Sequence, residues 1–263
     1  MTMLESFFSP TKSETLGLKG LACLGVFFCH CFSFFNQVFG FFFVSLFFFL
    51  SGCGYRLSGR PSVYRLGYRL LPLLLLFLVV SSASLLFGSF SYIPSMWFMM
   101  PYCLISLDLC FFDSRIVFLL VCLVCGFFEL DSFSWGSWIF FFVGFWFGRF
   151  SFVQSFFWFG LSSLISFWVC PEVLFCWLLA SLFLALVLGL RKKFLCLEKL
   201  GLVSGAFYAV HCLPLSLVGL NSWLGFPSLG AVWVVPCLLF SLGFSIFWDR
   251  VFGVKNRSRC RIV

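Results

Sequence analysis

The sequence predicts an all-α fold: a polytopic integral membrane bundle of about ten transmembrane helices, 1–263, with both termini cytoplasmic and no soluble domain. Three observations carry that reading. The chain is 62% hydrophobic, and only 10% of it is charged, against roughly 25% in an average soluble domain. Its 17 Lys and Arg residues sit, Lys19 excepted, at the two ends or in short gaps between apolar runs. The composition excludes a soluble globular enzyme, a disordered chain and a nucleic-acid-binding domain. Runs such as Phe39-Gly40-Phe41-Phe42-Phe43 lack the period-two alternation of a transmembrane β-barrel.

The segments follow from cuts at charges, Pro and polar clusters. The first, 16–35, comes after a short cytoplasmic stretch, 1–15. No small-residue cleavage site follows it, so it reads as a retained helix. The second, 38–54, is rich in Phe and closes on Ser51-Gly52. The third, 70–87, follows a basic loop with Arg56, Arg60, Arg65 and Arg69, and carries Pro72. The fourth is 93–107. The fifth and sixth, 114–128 and 133–147, are short for ~30 Å of hydrocarbon; as a re-entrant hairpin they would leave about eight full spans. The seventh, eighth and ninth are 152–169, 173–190 and 202–220. The tenth, 229–248, leads into a basic tail, 249–263.

Charge placement tests this division, because Lys and Arg in short loops mark the cytoplasmic side. The gaps after even-numbered segments hold the Arg56–Arg69 group, then Arg115, then Arg149, then Arg191, Lys192, Lys193 and Lys199. Lys12 and Lys19 lie at the first end; Arg250, Lys255, Arg257, Arg259 and Arg261 lie at the last. The gaps after odd-numbered segments hold only Glu129, Asp131 and Glu172. A hairpin at segments five and six would preserve this parity. The 14 Cys fall mostly inside apolar runs, such as Cys23, Cys122, Cys125 and Cys176, where free Cys acts as a small hydrophobe; no disulfide is expected.

Ionisable groups inside spans are costly and mark sites. Lys19 and His30 are both in the first segment, within about 20° of one helical face and about 16.5 Å apart along the axis. Snorkelling is the plainer reading of Lys19, and an interhelical packing hydrogen bond that of His30. Cys29-His30-Cys31 does not make a metal site, because successive helical residues diverge by about 100°. Ser204, Tyr208 and His211 share a face at spacings of four and three, with Pro214 one turn on. A polar packing stripe is the alternative there. Ser51-Gly52 permits close approach of a neighbour or a ligand. Gly144-x-x-x-Gly148 and Gly201-x-x-x-Gly205 read as helix packing. The Arg56–Arg69 loop suits either anionic headgroups or the phosphates of a nucleotide-bearing donor. Trp97, Trp135 and Trp138 fit an interfacial belt.

Five of these motifs, in order, resemble the membrane acyltransferase family 3, the bacterial polysaccharide O-acyltransferases. Lys19-x10-His30 is similar to its Arg/Lys-x10-His motif. Residues 41–52, FFFVSLFFFLSG, resemble its FF…SG stretch. Residues 64–72, YRLGYRLLP, resemble its basic approach to the third span, with Arg69 three residues before Pro72. Met96-Trp97-Phe98 resembles its Trp-Phe-Leu signal. Residues 204–214, SGAFYAVHCLP, look like its S-x-x-x-Y-x-x-H-x-x-P segment. The sequence departs from the family where Leu66 replaces the first of two paired arginines and Arg65 is offset by one.

The resemblance implies a multi-pass enzyme of the inner (cytoplasmic) membrane. It would move an acyl group, most often acetyl, from acetyl-CoA to a hydroxyl of an envelope carbohydrate, with acetyl-CoA as co-substrate and no bound cofactor. It implies His30 and Lys19 as catalytic residues, and Arg69, Arg65, Ser51 and Gly52 around the donor. Ser204, Tyr208, His211 and Trp97 remain candidates for acceptor or oxyanion contacts. The partners are membrane lipids, donor and carbohydrate, with no nucleic acid. The rival classes are a transporter or flippase for a lipid-linked sugar, in which His and Lys form a proton relay, and a structural subunit.

Overall fold

The computed structural model describes residues 10–31, 36–58, 63–86, 105, 112–113, 116–118, 120, 139–146, 171–217 and 227–253, and among them every regular element is helical. Helix α1 spans Lys12–Cys31. It starts four residues before the expected segment because Thr11 and Glu14 form a capping box. The Thr11 backbone N–H donates to Glu14 Oε2 (2.8 Å), and the Glu14 N–H donates to Thr11 Oγ1 (3.3 Å). Each side chain satisfies a backbone donor that a helix start leaves open.

Helix α2 spans Asn36–Ser58 and α3 spans Val63–Leu86. The third segment was expected to begin at 70, yet α3 absorbs the basic approach and runs through Pro72. A proline forfeits one helical hydrogen bond but does not end the helix where neighbours support it. Helix α4 is Ile139–Trp146, within the expected sixth segment, and α5 is Pro171–Gly189. Of the fourth and fifth segments only Ile105, Ile116–Phe118 and Leu120 belong to the described residues; the seventh lies outside them.

The largest difference from expectation lies between 190 and 217. The stretch expected as a loop is a 3₁₀ helix, Arg191–Leu197, continued by α6, Glu198–Leu202. The expected ninth span begins after a bend at Val203 and is described from Ser204 to Leu217. It comprises α7 (Ser204–Val210), a turn at His211, and α8 (Cys212–Leu217). Residues Arg191–Leu202 and Ser204–Leu215 meet at 68°. Helix α9, Pro227–Trp248, ends in a π turn, Asp249–Gly253.

Among the described residues, two helices are long and apolar enough to cross a membrane, Lys12–Cys31 and Trp233–Phe252, and the bent pair makes a third if it is one span. Large apolar side chains line outward faces. Leu71, Leu74, Leu75 and Leu78 do so on α3, Leu182 and Leu186 on α5, and Val235 and Leu239 on α9. These are helical spacings, and such stripes on a water-facing surface would be an aggregation liability.

Inside, Phe rings fill the space between backbones. Phe27, Phe41, Phe48, Phe49, Phe140, Phe141, Phe142 and Phe207 are fully buried. Two crossings are tighter than side chains allow. A Cβ on Gly52 would strike the Phe141 carbonyl of α4, and a Cβ on Gly144 would strike the Phe49 carbonyl of α2. Similarly, Gly17 of α1 faces the Phe194 carbonyl, and Gly201 of α6 faces the Leu16 carbonyl. Such bare faces let helices approach closely in lipid, where dispersion rather than water drives association.

Candidate functional site

Helices α1, α2 and α7 bring together most of the polar residues singled out above. α1 supplies Lys19 near its start and His30 near its end. α2 supplies Phe47 and Ser51, and α7 supplies Ser204 and Tyr208, with His211 at its C-terminal turn. α7 is held to α1 by the Cys23 thiol, which donates to the Ser204 carbonyl at 3.5 Å.

His30 and His211 meet, with ring centroids 5.2 Å apart and planes tilted by 42°. His211 is 3% exposed. Its ring stacks on Phe207 (6.1 Å, 11°) and sits 5.4 Å from the ring of Tyr208. His211 Nδ1 lies 2.7 Å from the Tyr208 carbonyl oxygen. A carbonyl only accepts, so Nδ1 carries the proton in that bond, and Nε2 is then the nitrogen with the lone pair. This holds an imidazole as a base is held: one nitrogen anchored, the other able to take a proton.

From this pair a line of rings runs back towards the start of α1. Tyr208 stacks on Phe47 (5.5 Å, 28°), and Lys19 Nζ lies over the far part of the line, 5.9 Å from the Phe47 centroid. That distance is within reach of a cation–π contact. Lys19 is thus turned towards Phe47 of α2. Phe47 was not identifiable from sequence: it is one of three consecutive Phe residues, and nothing local separates it from Phe48 and Phe49.

Two of the residues expected around the donor have defined neighbours within the helices. Ser51 Oγ donates to the Phe47 carbonyl at 2.9 Å, so its single hydroxyl proton is committed within α2. Gly52 faces the α4 backbone, where a Cβ would meet the Phe141 carbonyl. Ser204 is buried, and its backbone carbonyl accepts from the Cys23 thiol. Arg65 and Arg69 are carried by the first two turns of α3, with side chains outside the described part of the structure; Trp97 lies outside the described residues altogether. Among the described residues, no three His, Cys, Asp or Glu side chains gather as a metal site.

Sequence reasoning also missed the clasp at the start of α1. Glu14 Oε2 is 3.2 Å from Arg191 Nε, and Ser13 Oγ donates to Glu198 Oε1 at 3.1 Å. The Thr11-x-x-Glu14 pattern was the available signal for the first of these residues. No family model matches the chain, nor does any curated protein or solved structure.

Proposed function

We propose that this chain is a multi-pass acyltransferase of the cytoplasmic membrane, taking an acetyl group from acetyl-CoA to a hydroxyl of an envelope carbohydrate. The observation that carries the reading is the contact of His30 with His211, two distant histidines meeting in an apolar interior with one of them anchored through Nδ1. Ionisable groups are rarely retained there without a task. The five ordered motifs supply the reaction class.

In the proposed reaction the acceptor oxygen attacks the thioester carbonyl carbon while an imidazole nitrogen takes its proton. His30 is the leading base, and His211 Nε2 is the alternative. The tetrahedral oxyanion needs a donor, for which the Tyr208 hydroxyl is the nearest candidate. Collapse breaks the C–S bond, and the leaving thiolate receives the proton from the imidazolium, giving the ester and free CoA thiol. Lys19 and Arg69 would lie at the cytoplasmic mouth, where the donor's phosphates dock. Ten spans and two cytoplasmic ends belong to the same proposal.

The deciding experiment is transfer from radiolabelled acetyl-CoA in membranes with and without this chain, alongside the O-acetylation of envelope glycans. Absence of any chain-dependent label sinks the proposal. A transporter or flippase is the second reading, favoured by the break between α6 and α7, the helix whose far end carries the buried His211. Substrate movement without acyl transfer in the same membranes would establish it. Arg69→Ala should raise the apparent KM for acetyl-CoA, and Arg69→Lys should recover only part of it, because the bidentate geometry is lost. Unchanged donor dependence would return Arg69 to setting topology.

A further inference from the structure

The helical arm Arg191–Leu202 has three distinct sides. In a 3₁₀ helix residues three apart line up, so Arg191, Phe194 and Leu197 form one ridge, and Gly201 continues it in α6. That ridge lies on α1. The Phe194 and Leu197 carbonyls cover Gly17 and Gly20, Gly201 meets Leu16, and Arg191 pairs with Glu14. A second line starts at Lys192 and carries Leu195 and, in α6, Leu202, the leucines each 41% exposed. A third, about 100° further round, carries Lys193 and Lys199, both exposed.

The outward charge on the arm is of one sign. Its acidic residue, Glu198, accepts from Ser13, and the acid that reaches it from α1, Glu14, is paired with Arg191. Lys192, Lys193 and Lys199 face outward. The arm also stands at 68° to the helix that follows it. If Ser204–Leu215 descends into the bilayer, the arm runs close to the membrane plane.

We infer that Arg191–Leu202 is an interfacial arm that binds the anionic surface of the cytoplasmic leaflet. Leu195 and Leu202 enter the acyl-chain boundary, while Lys193 and Lys199 hold headgroup phosphates. An amphipathic helix with lysines beside an apolar line has this chemistry. The ridge on α1 fixes the arm's rotation, so the leucines and lysines cannot exchange sides without breaking the Gly17 and Gly201 contacts. The inference rests on the chain being membrane-embedded with this end cytoplasmic, and not on acyl transfer.

The test uses the full chain in nanodiscs, with a fluorescent amino acid introduced by amber suppression at position 195 or at position 193. The lipids are phosphatidylcholine alone or mixed with phosphatidylglycerol, with acyl-chain bromination of one or the other. Quenching is expected at 195 and far less at 193. Brominated phosphatidylglycerol should quench 195 in preference to brominated phosphatidylcholine. Each lysine at an anionic surface contributes about fivefold to that preference, so with the probe at 195 Lys199→Gln should reduce it about fivefold and Lys193→Gln/Lys199→Gln further still. Equal quenching at both positions would make the arm a submerged part of a span. Absence of quenching at either would leave it in water. A preference unaffected by the lysine substitutions would remove the headgroup contact. Any of these three results overturns the inference, whether or not the membranes transfer acetyl groups.

Discussion

Helix α2 packs on α1 and α7 along one side and on α4 along another, and the two contacts are built from different material. Towards α7 it presents Phe47 against Tyr208, with Lys19 of α1 over the same ring and the histidine pair one ring further on. Towards α4 it presents Gly52, and α4 answers with Gly144, so backbone meets backbone. Ser51 and Gly52 are neighbours in sequence but diverge by about 100°, which puts them on different sides of the helix. The glycine contact holds helices together with nothing polar in it. The other side carries groups that cost free energy to bury. That difference is the argument for reading the α1–α2–α7 side as the working one.

The comparison breaks first at His30. His30→Gln keeps polarity and approximate size but cannot take a proton, so acetyl transfer should fall by roughly 10²–10⁴. The level of membrane-inserted protein should stay near that of the parent, because one intramembrane hydrogen bond is worth only about 0.6 kcal/mol. His211→Gln should cost comparably if the two rings act as a unit. Substantial transfer by the His30 variant, measured at matched expression, would move the base to His211; full activity in both would reduce the pair to packing.

The α4 side should respond in the opposite way. Gly52→Ala and Gly144→Ala each put a methyl group into a backbone contact. Each should destabilise the protein by about 1–3 kcal/mol, read as a lower unfolding midpoint in detergent. The surviving folded protein should keep its KM for the donor. The double variant should lose less than the two single losses together, because one widened crossing relieves both clashes. Additive losses would mean that the two glycines do not share a crossing.

The smallest effect is expected where α1 uses both devices at once, with Gly17 for close approach and Glu14 for charge. Glu14→Gln retains a capping-box acceptor but removes the ion pair with Arg191, so the helix start should survive while the arm loosens. Trypsin should then cut faster at Lys192 and Lys193. Thr11→Ala should do the converse, costing about 1 kcal/mol of stability through the lost cap, with little change in that cleavage. Identical proteolysis of parent and Glu14→Gln would show the clasp to be inert. Separately, reporter fusions at Asn36, Glu129 and Asn221 should register outside, and those at Gly59 and Lys192 inside. An outside signal at Lys192 would invert the proposed topology.

Much of this was legible without coordinates. Apolar runs of spanning length located α1, α2, α5 and α9 to within a few residues, because hydrophobicity is a local property summed over one helix. The helical period put Lys19 with His30, and Ser204 with Tyr208 and His211, for the same reason. The start of α1 is marked by Thr11-x-x-Glu14, a polar cap that lies outside the apolar run. Continuation of α3 through Pro72 was hidden because proline's lost hydrogen bond is tolerated or not according to what packs around it.

What only the tertiary structure decided is which faces meet. In an apolar sequence every helix face is acceptable to lipid, and so composition does not say which one turns inward. That His30 finds His211, that Phe47 rather than Phe48 lies between Lys19 and Tyr208, and that Gly52 goes to α4 are outcomes of shape matching between helices far apart in the chain. The break at Val203 is of the same kind. No proline stands there, and the bend follows from the arm lying across the bare glycines of α1 while α7 is held by Cys23 and packed under His30. The sequence by itself determined the helical class, the apolar segments and the short list of residues with chemistry in them, because those depend on neighbours within a turn or two. Their assembly into one cluster depended on contacts between segments, for which a one-dimensional pattern of apolar residues carries no address.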